Sequence, residues 1–274
     1  VHGLVDSAVT FRPLVSLLPR KFYYIGIDLP GNGKSDRFPP GLMISAHDMV
    51  YVMEAVAKHF RWKNFVCVGH SAGAILGKIY SVAYPGKLSK LIEMDAINLF
   101  GIPPEEFPKW YKYFFADYFA NYEKYNTPKE KAPALKWKTV LETLKTNRGL
   151  TEEQATDVLQ RITEPAGDGL VRYTYDLRVK VINFTPFSAE HIRKVYTAVK
   201  TPTLAIVAED SFNKGLYRNT AFLLDESVYP AGNYRMRQVR GGHDVHLTHP
   251  QRLAPHISQF LLYGLEGLGD KAKL

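Results

Sequence analysis

Cysteine is all but missing from this 274-residue chain. Cys67 stands alone, so no intrachain disulfide can form and a reducing compartment is expected. Long hydrophobic runs are missing too. None approaches the roughly 20 residues that a helix needs to cross a bilayer, so no membrane span is expected. The net charge of +8 invites a nucleic-acid or membrane partner. Runs of five or six like charges are absent, however, and Lys129-Glu130-Lys131 is typical of how the signs interleave. The excess reads as solvated surface, and no nucleic-acid partner is expected. Val1-His2-Gly3 carries no signal-peptide pattern. Asn183-Phe184-Thr185 fits the glycosylation tripeptide, but Pro186 follows it and little else argues for secretion. Repeats and low-complexity segments are also lacking. What is present is ordinary globular material, 46% hydrophobic and 23% charged.

Strand and helix signals alternate, which argues for βα units around a mostly parallel sheet. Phe22 to Asp28 is a β-prone run closed by the turn cluster Pro30-Gly31-Asn32-Gly33. Ala46 to Phe60 places Met49, Val52, Met53, Val56 and Phe60 at helical spacing. Asn64 to Val68 is short and apolar, as a buried strand is; a helix from Ala72 to Tyr80 and a strand from Leu91 to Asp95 follow. From about Ile97 to Val195 clean strand signals stop. Glu105 to Tyr125 is crowded with aromatics, Lys136 to Lys145 reads as a second helix, and Thr151 with Gln154 forms a capping-box pair opening a third. Strand-helix alternation resumes at Thr203 to Val207, a helix near Leu216 to Leu224, a strand Tyr234 to Val239, and a closing helix with Leu253, Ile257, Phe260 and Leu261. The expected organisation is a core in two parts, residues 1–96 and 196–274, with an inserted helical lid at 97–195.

Gly69-His70-Ser71-Ala72-Gly73 lies between the strand ending at Val68 and the helix opening at Ala72. A strand turning abruptly into a helix holds its central residue in a strained conformation, and glycines on either side avoid the clashes. The result is an exposed hydroxyl at a helix N-terminus, where negative charge can develop. Ser71 is therefore the candidate nucleophile. A neutral hydroxyl needs a base. His243, after Gly241-Gly242 and the last strand, is the candidate; His246 and His249 sit nearer the final helix and read as packing or surface residues. A metal reading of these histidines finds no further ligands at suitable spacing, so no metal and no cofactor are expected. Two carboxylates end strands between Ser71 and His243 in chain order, Asp95 and Asp210, and either could orient the imidazole. Glu93 and Glu209 are lesser alternates. The backbone amides of Ala72 and Leu4 are the candidate oxyanion donors.

These parts resemble the α/β-hydrolase superfamily. His2-Gly3 resembles its oxyanion loop and Asp28-Leu29-Pro30-Gly31-Asn32-Gly33-Lys34-Ser35-Asp36 a turn of that fold. Gly69 to Gly73 resembles its nucleophile elbow, and Gly242-His243 with Pro250 its histidine loop. Within it the chain is most similar to the serine hydrolase-like proteins of animals, through His2-Gly3-Leu4-Val5-Asp6-Ser7, Gly169-Leu170-Val171 and Asp176-Leu177-Arg178. The resemblance is loosest between Phe100 and Leu150. It implies an α/β-hydrolase fold with two or three strands ahead of the His-Gly loop, which this sequence lacks, so a longer protein is expected upstream. Asp210 lies two residues after Ala208 where the family commonly spaces its acid by three, and Asp95 matches an alternative acid position of the family. The choice between them stays open here.

Serine at position 71, where epoxide hydrolases and haloalkane dehalogenases of this fold use aspartate, implies acyl transfer rather than an alkyl-enzyme ester. The expected activity is a carboxylesterase-like serine hydrolase acting on a small hydrophobic acyl or ester substrate. A ligand receptor without catalysis is the alternative from another class. An amidase, C–C hydrolase or peptidase would use the same residues. Phe107, Trp110, Tyr111, Tyr113, Phe114, Phe115, Tyr118, Phe119 and Tyr122 either seat the lid on the core or line its pocket. The final Ala272-Lys273-Leu274 resembles a peroxisomal address, so peroxisomal import through that receptor is expected, otherwise a cytoplasmic home.

Overall fold

The computed structural model describes residues 1–97 and 101–269. The expected peroxisomal tail lies outside the described residues. Seven strands occur among them: β1 (Phe65–His70), β2 (Leu88–Met94), β3 (Leu135–Lys136), β4 (Thr163–Pro165), β5 (Leu170–Tyr173), β6 (Thr203–Ala208) and β7 (Tyr234–Val239). The longer helices are α1 (Ala46–His59), α2 (Ala72–Ala83), α3 (Trp137–Arg148), α4 (Glu152–Ile162), α5 (Ala189–Thr197) and α6 (Ala254–Tyr263).

The core is a parallel sheet in the order β1-β2-β6-β7. Gly69 pairs with Glu93, Ile92 with Leu204 and Leu204 with Arg235, so the strands end at a common edge. A parallel sheet is covered on both faces, and alternate residues divide between them. Ile92, Leu204 and Ile206 pack with Ile257 and Phe260 of α6. Leu91 and Cys67 pack with Met49 and Met53 of α1 and with Ile75 and Tyr80 of α2. Ser45 starts α1 with a capping box, accepting from the Asp48 amide while the Asp48 carboxylate accepts from the Ser45 amide.

Two expectations need correction. Phe22 to Asp28 runs without a ladder partner among the described residues, across a cavity of about 370 Å³ from Phe65–Val68. Strand-prone composition makes a strand only where a neighbouring backbone pairs with it. The lid is also not purely helical. It holds a three-stranded antiparallel sheet, β3-β5-β4, in which Leu135 pairs with Val171 and Thr163 with Tyr173. Strands of two to four residues are too short to display alternation in sequence. Thr151 does cap α4 with Gln154 as expected, and α3 and α4 share a core of Val140, Leu141, Val158 and Leu159. Leu247, from the loop following His243, completes that core, so the lid rests directly on the histidine loop.

Candidate active site

The serine stands where β1 becomes α2. Ser71 takes φ +53° and ψ −124°, a conformation that side-chain-bearing residues avoid and that elbows of this kind store as strain. Its flanking glycines are required by space. A Cβ on Gly69 would come 2.5 Å from Ala74 Cα, and one on Gly73 would collide with the carbonyl oxygens of Val1 and His2. Hydrogen bonds carry the ladder on past the strands, from the Ser71 amide to Met94 O (2.9 Å) and from the Asp95 amide to Ile206 O (2.7 Å). Ser71 and Asp95 thus occupy the ends of adjacent strands.

The His2-Gly3-Leu4 loop comes in from the other side. The His2 side chain fixes it, its Nε2 accepting from the Leu29 amide (2.9 Å) and its Nδ1 donating to Gly3 O (2.7 Å). Gly3 approaches so closely that a Cβ there would stand 3.1 Å from Ser71 Cβ. Leu4 follows Gly3, and Ala72 is the first residue of α2, whose N–H has no intrahelical acceptor. Apolar side chains line the recess behind both, among them Leu29, Met49, Leu76 and Phe184.

His243 donates from Nδ1 to Asp95 Oδ2 at 2.6 Å. Its side chain is 39% exposed while that of Asp95 is fully buried. Four donors converge on the Asp95 carboxylate. His243 and the Ser211 hydroxyl (2.6 Å) reach Oδ2; the Ala208 amide (3.0 Å) and the Tyr217 hydroxyl (2.8 Å) reach Oδ1. A carboxylate offers about four lone-pair sites, so this one is saturated. Burial works to raise its pKa, but the hydrogen bonds from His243, Ser211 and Ala208 prevail and hold it below the ordinary carboxylate range. Burial and the Asp95 charge push the Tyr217 phenol far up, keeping it a neutral donor.

Asp210 is not brought to His243. It is exposed in the short helix Glu209–Asn213, its amide donating to Gly241 O at 3.1 Å. Glu93 is also elsewhere, buried against Lys78 at 3.4 Å. The Ser71 hydroxyl has no hydrogen-bond partner among the described residues; catalytic contacts of this kind often tighten only with substrate.

A second polar layer lies on the far side of His243. His70 donates from Nε2 to His243 O (2.9 Å), and the His70 ring sits 3.9 Å from that of His246. Both are buried, and His70 Nδ1 and both nitrogens of His246 have no hydrogen-bond partner among the described residues. Burial, followed by the His243 charge, pushes His70 down to about 4, and burial takes His246 well below the ordinary histidine value. Asp6 and Asp244 complete this layer. The four side chains offer ligand atoms within 4.8 Å of one another, a nitrogen-and-oxygen set of the kind that zinc takes. Chain spacing concealed the grouping, since Asp6 and His246 lie far apart in sequence. Arg148 of the lid already bonds both carboxylates, so the positive charge they call for is met by its guanidinium. Arg148, Ser211 and Tyr217 are all invisible as site residues in the sequence, where nothing links them to His243.

Of the lid aromatics, Trp110 and Tyr118 are buried, while Phe107, Tyr111, Tyr113 and Phe119 are exposed. A π-helical turn at Lys112–Ala116 interrupts their helix.

Comparison with known proteins accords with this geometry. The family model described as alpha/beta hydrolase fold matches residues 1–250. Human serine hydrolase-like protein 2 is 29% identical over 95% of this chain and 85% of its own length. The serine hydrolase-like protein of Danio rerio is 26% identical over 95% of this chain and 80% of its own. A hypothetical protein of Pseudomonas aeruginosa PAO1 superposes with TM-score 0.81 at 22% identity, covering 95% of this chain and 89% of that one. The thioesterase domain from the curacin biosynthetic pathway does so with TM-score 0.68 at 20% identity, covering 93% and 88%. With parallel sheet, nucleophile elbow and histidine loop in place, the chain belongs to the alpha/beta hydrolase fold family.

Proposed function

We propose that this protein is a serine hydrolase that cleaves an ester-like bond of a small hydrophobic substrate through an acyl-enzyme. The observation that carries the reading is the 2.6 Å bond from His243 Nδ1 to the saturated Asp95 carboxylate. It fixes the tautomer, leaving Nε2 of the half-exposed ring as the acceptor for the Ser71 proton. In this reading Ser71 Oγ attacks the carbonyl carbon as His243 takes its proton. The amides of Leu4 and Ala72 stabilise the oxyanion, aided by the N-terminal end of α2. The imidazolium then protonates the leaving alkoxide, and the acyl group remains on Ser71. Water, deprotonated by the same imidazole, releases the acid and restores the serine. The aromatic side chains of the lid favour a hydrophobic acyl or ester substrate.

The test is a fluorophosphonate probe applied to the parent protein and to Ser71→Ala, with hydrolysis of p-nitrophenyl esters of rising chain length alongside. Labelling and turnover in the parent alone are expected, with the shorter chains preferred over long ones. A parent that neither labels nor turns over would favour the ligand-receptor reading.

A further inference from the structure

We infer that Arg148, although it belongs to the lid, is a positioning residue for the reaction, holding the oxyanion loop and the histidine loop in mutual register. This rests on the serine hydrolase reading of the same site. Arg148 is the last residue of α3, followed by Gly149 in the left-handed conformation (φ +65°) that ends the helix. Its guanidinium forms a fork between two loops. Nε donates to Asp244 Oδ2 at 3.0 Å, and Nη2 also reaches Asp244 Oδ1. On the other side Nη2 donates to Asp6 Oδ2 at 3.1 Å and Nη1 to Asp6 Oδ1 at 3.4 Å.

Each aspartate lies close in sequence to a proposed catalytic group. Asp244 adjoins His243, and Asp6 comes two residues after Leu4, whose amide is the proposed second oxyanion donor. Asp6 and Asp244 are both well buried, with side-chain exposures of 5% and 14%, and Arg148 has 17%. Water cannot readily replace a partner in such a place, and a two-sided fork imposes geometry as well as charge. Burial works against charge on Arg148, but the two carboxylates outweigh it and raise its pKa. The opposite holds for Asp244, where burial raises and Arg148 lowers, leaving the carboxylate below its ordinary range.

The surrounding contacts give the latch a consequence. Gln154 of α4 donates to Leu247 O at 3.0 Å, and Leu247 sits in the lid's own core, so the histidine loop is clasped from both sides. On its inner face the loop is held by His70 Nε2 on His243 O, by the His243–Asp95 bond and by Val245 in the apolar core. The Asp95 bond orients the His243 ring from inside, while the Arg148 fork holds the adjoining residue, Asp244, by its carboxylate from outside. A lid seated by Arg148 would therefore complete the site, and a loosened lid would misplace the base.

The test compares the parent with Arg148→Gln and Arg148→Lys. Circular dichroism verifies the fold of each, and Lys serves if Gln does not fold. Hydrogen–deuterium exchange is measured first, because it does not depend on activity. Faster exchange confined to residues 2–7 and 240–249, with β6 and β7 unchanged, is expected; unchanged exchange in those loops overturns the inference. Steady-state hydrolysis of a p-nitrophenyl ester follows. A misplaced base should lower kcat about tenfold or more while KM stays within about twofold, with Lys restoring part of the loss. Equal kcat in parent and variants, or a change in KM alone, also overturns it. A parent without esterase turnover would count against the serine hydrolase reading instead, and the exchange result would still decide the role of Arg148.

Discussion

The ends of β2 and β6 lie side by side in the sheet, and each is followed within two residues by an aspartate. After β2, Asp95 takes a left-handed φ of +46° and its carboxylate gathers four donors in a buried site. After β6 the chain enters a short helix, and Asp210 spends its backbone on Gly241 and Lys214 while its side chain remains exposed. The residues that follow Ala208 also serve the neighbour: the Ala208 amide, Ser211 and Tyr217 all donate to Asp95. The loop after β6 thus builds the nest for the acid of the loop after β2. Position at a strand end does not bring a carboxylate to the histidine; convergence of donors on it does.

Stability should separate the two aspartates most. Asp95→Ala would strand the buried Ser211, Tyr217 and Ala208 donors, at a cost of about 3 kcal/mol or more in urea unfolding, since each unsatisfied group costs roughly 1–3 kcal/mol. Asp210→Ala, at an exposed site, should stay within about 0.5 kcal/mol. A large loss for Asp210→Ala would contradict the exposed, unpartnered placement of its carboxylate among the described residues.

Acid should then distinguish the two sides of the histidine. His70 and His246 are held neutral in the fold by burial, with His70 lowered to about 4, whereas in the unfolded chain they protonate near the ordinary value of about 6.5. The unfolded state therefore binds more protons in that interval, and the stability they contribute is complete above about pH 6.5 and lost as pH falls towards 4. The Asp95 contribution has the same sign but a lower window, being present above about pH 3.9 and lost as pH falls through its depressed native value. Unfolding midpoints measured from pH 7.5 down to 4 should fall in the parent and fall less in His246→Gln. A midpoint independent of pH across that range would contradict the buried neutral pair.

The smallest effect sharpens the nest itself. Ser211→Ala and Tyr217→Phe each remove one donor and leave the others, so each should cost about 1 kcal/mol and slow ester turnover only several-fold. Urea unfolding and steady-state kinetics on the two variants check this.

Much of this was legible in the residues. The elbow could be read because its glycines are demanded locally, and β7 could be read because Tyr234 to Val239 is a short run bounded by Gly232-Asn233 and Gly241-Gly242. The choice of acid could not. Asp95 and Asp210 satisfy the same chain order, and what divides them is a backbone torsion and three donors up to 122 residues away in sequence. Arg148 was hidden for the same reason, lying 142 residues from Asp6 and 96 from Asp244. The lid strands were hidden by brevity.

The most direct test of the account is the rate at which a fluorophosphonate forms an adduct, mapped by mass spectrometry, in the parent, Asp95→Asn and Asp210→Asn. An adduct on Ser71 is expected in all three, with Asp210→Asn reacting at the parental rate and Asp95→Asn slowed by about 10³-fold or more, the loss expected when a base is left in the wrong tautomer. Retention of the rate in Asp95→Asn with its loss in Asp210→Asn, or an adduct on any residue but Ser71, would contradict it.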